Sequence, residues 1–337
     1  MDLLKKLSAI AALAIACPAS DFGYFSKHDA GQEVFSFLST FDSPRNAALE
    51  KSASALPTTD PSIVQLNPAA VTITEGKKRV VEAHWQTGEM SSNVGTLSYT
   101  TQYQKFILQY SYNWQSYGTI TGYDEYGEEN GSEYKPFSQL VTATVAYPMK
   151  HIRVGATIKF ASDKLTGDNE DQTAMAAAFD WGLTWMSDSK NYGFSFVARD
   201  FGAMLRGYVK ESADDTYPLS QTFAVGGFLK PRSVPRLTLF GETDFPRYAE
   251  PDLHLGAEYA LGEYFRIRAG FTRTWLDISR DFKELANSSS RPDETNSARL
   301  FSLGLGYTSS LFAFDYAFSY LASSLGYEHR LGLRLDF

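Results

Sequence analysis

The sequence predicts an all-β fold: a transmembrane antiparallel β-barrel of about fourteen strands with an N-terminal hatch that contains a short helix. A secretory leader precedes a region in which apolar and polar residues alternate from about residue 79 to the last residue. Aromatic residues make up 15% of the chain, yet its mean hydropathy of -0.27 is that of a water-soluble protein. Strands with one lipid-facing apolar row and one polar row toward the lumen account for both values.

Residues 1–20 are predicted to be a secretory signal peptide. Two lysines precede the apolar run 7–16, and small residues follow it. The run is too short to span a bilayer as a helix, which needs about twenty residues. The residues before Cys17 loosely resemble a lipobox, so lipidation is an alternative to the favoured cleavage near Ala19 or Ser20. Cys17 is the sole cysteine, so we expect no disulfide in the mature chain.

Residues 21–76 are predicted to form the N-terminal hatch. A helix is expected from Pro44 to Leu56, with Asp42 or Ser43 as its cap and prolines beyond its end. The spacing of several apolar residues indicates that this stretch packs against another part of the chain. These residues are Phe35, Phe37, Leu38 and Phe41.

Residues 77–337 are predicted to form the barrel. The segment 151–160 is typical, because its even positions are apolar and its odd positions are charged or small. No later segment is long and apolar enough for a spanning helix, so the chain is expected to cross the membrane with strands. The predicted strands are 79–87, 94–102, 104–115, 138–147, 150–162, 172–186, 190–201, 220–230, 234–244, 252–261, 263–277, 297–309, 311–322 and 325–337.

The connections between these strands alternate in length. Turns such as 148–149 and 309–310 are short, whereas 116–137, 202–219 and 278–296 are long. Bacterial outer-membrane barrels have short periplasmic turns and longer extracellular loops. We therefore expect both chain termini on the periplasmic side of a bacterial outer membrane. The loops after the first and thirteenth strands are exceptions, because they look short although they fall at the end of the barrel that carries the long loops.

The last strand carries the residues of a predicted assembly signal. An amphipathic strand that ends in an aromatic residue resembles the signal that the barrel-assembly machinery recognises. The apolar face of this strand consists of Leu331, Leu333, Leu335 and the terminal Phe337.

Few features of the sequence point to chemistry. The net charge of -8 argues against nucleic acid as a partner. The five histidines form no metal-ligand pair, and there is neither a GxSxG motif nor a glycine-rich phosphate loop. We therefore predict no enzyme activity, catalytic residue, cofactor or metal. A barrel hydrolase that uses His151 or His254 has no positive support. The acidic loop 123–133 could bind calcium or a protein, but a solvated loop is favoured.

Charged residues also fall on the predicted lumen rows. A network of paired charges is favoured over a conduction path, although a barrel of about fourteen strands is wide enough for a channel unless it is plugged. The N-terminal extension is the candidate plug. The charges are Arg153, Lys159, Glu242, Asp244, Glu258, Arg266, Arg268, Asp315, Arg334 and Asp336.

Three segments of the hatch carry a family resemblance. Residues 35–38, 43–49 and 66–70 resemble the start of the PorV/PorQ family of type IX secretion system outer-membrane proteins, and PorQ most closely. This chain has Glu50-Lys51-Ser52 where the family commonly has glycines. The hatch motif of the family corresponds here to Asn67, Pro68 and Ala69.

The resemblance implies a FadL-like barrel without enzymatic activity. Its extracellular loops would anchor or present a peripheral surface protein of the type IX attachment complex, while outer-membrane lipid surrounds the barrel. The competing hypothesis is a FadL-like transporter of hydrophobic small molecules, whose hatch moves to open an apolar pocket. The charged lumen rows argue mildly against that alternative.

Overall fold

A computed structural model describes residues 33–88, 93–124, 126–165, 173–209, 217–287, 299–321 and 326–337. The predicted signal peptide 1–20, with Cys17, and the histidine at position 28 lie outside the described residues. So do parts of two predicted long loops, at 210–216 and 288–298.

Fourteen of the described strands close into an antiparallel barrel, which confirms the predicted fold class. Each barrel strand pairs with its neighbours along the chain, and the first pairs with the last, with Val80 opposite Asp336. The barrel strands are β1 (Arg79–Gly88), β2 (Asn93–Tyr103), β3 (Phe106–Ser116), β6 (Phe137–Pro148), β7 (Ile152–Lys164), β8 (Ala174–Met186), β9 (Tyr192–Arg206), β10 (Thr222–Leu229), β11 (Leu237–Pro246), β12 (Asp252–Leu261), β13 (Phe265–Thr274), β14 (Arg299–Thr308), β15 (Phe312–Leu321) and β16 (Tyr327–Asp336).

Side chains alternate between the two faces of the wall, as the period of two requires. On β16, Leu331 and Leu333 are 45% and 47% exposed on the outer face, whereas Arg330 and Asp336 are buried in the lumen. The outer face is therefore apolar and the inner face polar, which suits a wall between lipid and a filled lumen.

Two long loops contain secondary structure that the sequence pattern did not predict. The strand predicted at 263–277 ends at Thr274, and Trp275–Asn287 forms a helix, α2, in place of the start of the predicted loop 278–296. Thr274 Oγ1 accepts a hydrogen bond from Asp277 N at 3.0 Å, which caps the new helix. In the loop 116–137, strands β4 (Ile120–Tyr123) and β5 (Glu129–Tyr134) form a hairpin outside the barrel.

The hatch fills the lumen with short helical turns. Its described residues form the α-helix α1 (Pro44–Ala48) and the 3-10 turns Ser36–Ser39, Pro61–Gln65 and Pro68–Ala70. The helix predicted from Pro44 to Leu56 ends at Ala48, because Glu50 has a φ of 48° and leaves the helical conformation. Ser43, one of the two predicted caps, accepts a hydrogen bond from Asn46 N at 3.1 Å.

The hatch runs through the barrel from one end to the other. Val34 N donates to Pro218 O at 3.0 Å in a long loop, and Lys78 N donates to Phe337 O at 2.9 Å at the short-turn end. The C-terminus therefore lies where the sequence predicted. The described part of the N-terminal extension instead begins at the long-loop end. We call residues 33–41 the plug and residues 42–78 the hatch body.

Lumen-facing glycines allow the hatch body to lie directly on the wall. A Cβ atom at Gly270 would lie 2.6 Å from the backbone N of Glu50, and one at Gly155 would lie 2.5 Å from the backbone N of Ala69. Both separations are far below van der Waals contact, so only glycine fits. Across seven described strands, the glycines that contact the hatch body are Gly155, Gly182, Gly226, Gly256, Gly270, Gly304 and Gly332.

Substitution of Gly270 by alanine should destabilise the folded barrel. The new methyl group would collide with hatch backbone, and overpacking of this kind costs about 1–3 kcal/mol. The matched control is Gly241→Ala on the outer face, where a Cβ would meet Leu255 at an ordinary 3.7 Å. Thermal unfolding followed by tryptophan fluorescence should give a lower Tm for the first variant alone, and equal Tm values would disprove the steric requirement.

Candidate functional site

Arg153 fastens the hatch body to the wall of β7. Its Nε donates to Ala69 O at 2.8 Å, and its Nη2 donates to Val71 O at 2.6 Å. The side chain is buried, so its guanidinium loses its hydrating water. The two carbonyl oxygens accept its hydrogen bonds in place of that water. The predicted lumen charge at this position thus binds the hatch backbone.

The predicted motif Asn67-Pro68-Ala69 forms a turn that is held on three sides. The Asn67 carbonyl oxygen accepts from Ala69 N at 2.9 Å, and its amide donates to Ser54 O at 2.9 Å and to Thr184 Oγ1 at 3.1 Å. Pro68 begins the turn, where its missing N–H costs nothing. These contacts indicate a structural part for the motif.

The bend after α1 uses residues that rarely adopt its conformation. Glu50 and Lys51 have φ values of 48° and 61°, in the left-handed region that favours glycine. Side-chain contacts offset the strain: Glu50 accepts hydrogen bonds from Ser302 and Thr272, and Lys51 Nζ lies 3.2 Å from Asp42. The chain thus makes this turn without glycine.

The lumen charges are arranged in pairs and clusters. Lys159 Nζ lies 2.7 Å from both Asp180 and Asp200. Other contacts join the barrel to itself or to the hatch, so most of the predicted charges are compensated by a partner. These contacts are Arg199 with Glu242 and Asp244, Arg45 and Arg268 with Glu258, Arg268 with Asp315, Arg330 with Asp42, and Arg334 with Asp336.

Near the long loops the lumen wall changes from charged to apolar. We call this region the apolar chamber. It lies at the ends of β2, β6, β7, β8 and β9, and Leu219, between β9 and β10, packs against it. Its wall residues are Val94, Leu140, Ala161, Ala174, Ala176, Ala178, Met204 and Leu219.

Aromatic rings of the plug occupy the apolar chamber. Phe35, Phe37 and Phe41 are each no more than 3% exposed. The ring centroids of Phe35 and Phe37 are 5.7 Å apart, and those of Phe37 and Phe41 are 6.0 Å apart. Four alanines on β7 and β8 leave the room that these rings fill. The sequence indicated that the plug residues are buried but not what they pack against.

The plug is attached less firmly than the hatch body. Its polar contacts with the barrel, in the described part of the chain, are Val34 N to Pro218 O at 3.0 Å and Thr40 Oγ1 to Gln115 Oε1 at 3.3 Å. Its cluster is otherwise apolar, and the glycines that seat the hatch body all contact residues 44–69. Removal of the plug would therefore break few directional contacts.

A small polar cavity lies between the hatch and strands β9 to β11. Its volume is about 60 Å³, which is enough for a few water molecules. Several charged groups that line it are already paired, such as Lys51 with Asp42 and Arg199 with Asp244. The lining includes Leu38, Asp42, Lys51, Arg199, Asp200 and Asp244.

The candidate histidines and the acidic loop of the sequence analysis lie apart from one another. His254 Nδ1 lies 3.0 Å from Thr272 Oγ1 in the lumen, whereas His151 lies in a turn, 3.5 Å from Asp188. No cluster of metal-ligating side chains occurs among the described residues. In the acidic loop, Asp124 Oδ1 accepts from the backbone N–H groups of Tyr126 and Glu128, and this stabilises the β4–β5 turn.

No protein-family model matches the sequence, and no curated protein matches it. Solved structures do match. The toluene transporter TbuX of Ralstonia pickettii superposes with a TM-score of 0.59 at 12% identity, over 88% of this chain and 98% of that one. The toluene transporter TodX of P. putida superposes with a TM-score of 0.55 at 9% identity, over 87% and 97%.

The chain is a bacterial outer-membrane β-barrel. Its closed wall, its apolar outer face and its filled lumen are shared features of that class. No helix of the described residues is long and apolar enough to cross a membrane. At identities of 9% and 12% the likeness to the toluene transporters establishes the fold alone. The resemblance to PorV/PorQ proteins stays a prediction.

Replacement of Asn67 by alanine should loosen the hatch body. It removes three buried hydrogen bonds and leaves their partners unpaired. Each buried group without a partner lowers the stability of the fold by about 1–3 kcal/mol. Limited proteolysis of the folded barrel should then cut within residues 42–78 faster than in the parent protein. Asn130→Ala in the exposed β4–β5 hairpin is the control. Equal cutting rates for both variants would show that Asn67 does not hold the hatch.

Proposed function

We propose that this barrel transports hydrophobic small molecules across the outer membrane, in the manner of a FadL-like transporter. The ligand site is the apolar chamber after the plug has left it. The supporting observation is that phenyl rings of the chain itself fill a lumen pocket that is otherwise lined by aliphatic side chains.

The chemistry of the chamber selects the ligand class. Burial of one phenyl ring contributes about 1.5–3 kcal/mol, and a ligand that replaces a ring recovers a similar amount. The chamber wall is made of alanine and other aliphatic side chains, so a polar ligand would lose its hydration without compensation. The similarity to proteins named as toluene transporters supports the same ligand class.

The two parts of the hatch have different roles in this proposal. The hatch body is seated on glycines and held by Arg153, so its release would expose many buried polar groups. The plug packs mainly through apolar contacts. Opening of the ligand site therefore requires movement of residues 33–41 only, while the hatch body stays fixed on the wall.

A variant with a smaller plug should bind apolar ligands better. Phe37→Ala removes a buried ring from the chamber, whereas Ala176→Phe fills the chamber from the wall of β8. We expect several-fold tighter binding of an apolar fluorescent probe, N-phenyl-1-naphthylamine, in the first variant and weaker binding in the second. Phe271→Ala on the outer face is the control. Probe binding that is absent from the parent and from Phe37→Ala would contradict the proposal.

A covalent bond between hatch body and wall tests which part moves. Ser54 Oγ and Ser195 Oγ are 2.8 Å apart, so cysteines at both positions are placed to form a disulfide. Toluene uptake by cells that make this double variant should be the same before and after reduction, because the plug stays free. Uptake that requires reduction would show that the hatch body itself moves.

The β4–β5 hairpin favours a second candidate function, which is docking of a surface protein of the type IX attachment complex. It projects from the long-loop end, and Tyr123 and Tyr126 are 60% and 83% exposed. Exposed tyrosines are common anchors in protein interfaces. Replacement of residues 118–135 by a short Gly-Ser linker should abolish recovery of a surface partner from detergent-solubilised membranes. Recovery that survives, with the barrel still assembled, would argue against docking at the hairpin.

A further inference from the structure

Tyr208 and Leu219, on the two described ends of the connection between β9 and β10, cover the plug on the side of the long loops. The Tyr208 ring packs against Phe35 with centroids 6.0 Å apart. Leu219, farther along the same loop, is fully buried against the plug and pairs with Val34 through a backbone bridge. These two side chains therefore lie between the plug and the long-loop end of the barrel.

A side-chain hydrogen bond holds Tyr208 across the mouth of the chamber. Its hydroxyl donates to Asp163 Oδ2 at 2.8 Å, and Ser138 Oγ donates to the other carboxylate oxygen at 2.7 Å. Tyr208 follows β9, whereas Asp163 lies on β7 and Ser138 on β6. Strand β8 lies between β7 and β9 in the barrel. The contact therefore spans the end of β8, above the alanines that line the chamber.

We infer that the hydrogen bond between Tyr208 and Asp163 is a latch that controls access to the apolar chamber. The inference rests on the proposed function, because it assigns the residues that keep the plug in the proposed ligand site. The Tyr208 ring packs against Phe35. The hydrogen bond from the Tyr208 hydroxyl to Asp163 fixes the position of the Tyr208 ring. With the bond intact, Phe35 and the rest of the plug stay beneath Tyr208.

Two further observations support a latch at this position. Burial raises the pKa of Tyr208, and the nearby Asp163 carboxylate raises it further, so the hydroxyl remains a proton donor. A hydrogen bond to a carboxylate is stronger than one between neutral groups. Phe35 has a φ of 61°, a left-handed conformation that is strained for an aromatic residue. Departure of the plug would relieve this strain, and the contact with Tyr208 opposes that departure.

Cysteine labelling tests the latch without any assay of transport. In every variant Ala161, which is 2% exposed in the chamber wall, is replaced by cysteine, and the rate of N-ethylmaleimide modification is measured on the folded barrel. The reagent reaches this position only when the plug has moved. Tyr208→Phe keeps the ring and removes the hydroxyl, so we expect labelling to be several-fold faster.

A second tyrosine supplies the matched control. The Tyr112 hydroxyl donates to Gln139 Oε1 at 2.8 Å on the outer face of β3. Tyr112→Phe also removes one hydroxyl hydrogen bond, but far from the plug, and should leave the labelling rate unchanged. Asp163→Asn should accelerate labelling as well, because it weakens the same bond. The two latch substitutions together should give no more than the larger single effect.

The outcomes separate the latch from the transport proposal. Faster labelling in Tyr208→Phe and Asp163→Asn supports the latch, even if no apolar probe binds to any variant and the transport proposal fails. Labelling that is unchanged in both variants overturns the latch. In that case, tighter probe binding in Phe37→Ala would leave the transport proposal standing. Additive effects of the two latch substitutions would also overturn the latch, because Tyr208 and Asp163 would then act independently.

Discussion

Close contact between the hatch backbone and the lumen wall is the constraint on which the rest of the structure depends. Barrel strands present alternate side chains to the lumen, and a side chain at Gly155 or Gly270 would displace the hatch. With glycine there, the helical turns of the hatch pack against the wall and block the lumen. Arg153 and Asn67 can then bind hatch carbonyl groups that water would otherwise have to solvate.

Ion pairs between hatch and barrel also hold the hatch body in the lumen. Charged residues are costly to bury unless each has a partner, and hatch and barrel supply partners to one another, as Arg45 does for Glu258 and Asp42 for Arg330. The hatch body is therefore bound by polar contacts around the circumference. The apolar plug has few such contacts, and this difference divides a fixed part from a part that can move.

The difference between the fixed hatch body and the apolar plug gives the proposed transport a physical basis. Apolar contacts are not directional, so a hydrophobic ligand can replace the rings of the plug without leaving unpaired polar groups. Polar contacts would not permit such an exchange. The latch at Tyr208 adds one directional contact to an otherwise apolar closure, and it does so at the end of the lumen where a ligand from outside would arrive.

Local patterns in the sequence determined the barrel strands, their inward and outward faces and the order of short and long connections, because a period of two is visible within one strand. Thr274 supplies a local cap for α2, but the alternating pattern that precedes it favours a longer strand. Only the tertiary structure decided where the plug lies, which glycines contact the hatch, how Glu50 makes its turn and which residue Tyr208 meets. These contacts join residues far apart in the chain, such as Glu50 and Ser302, whose proximity depends on barrel closure and on the path of the hatch through it.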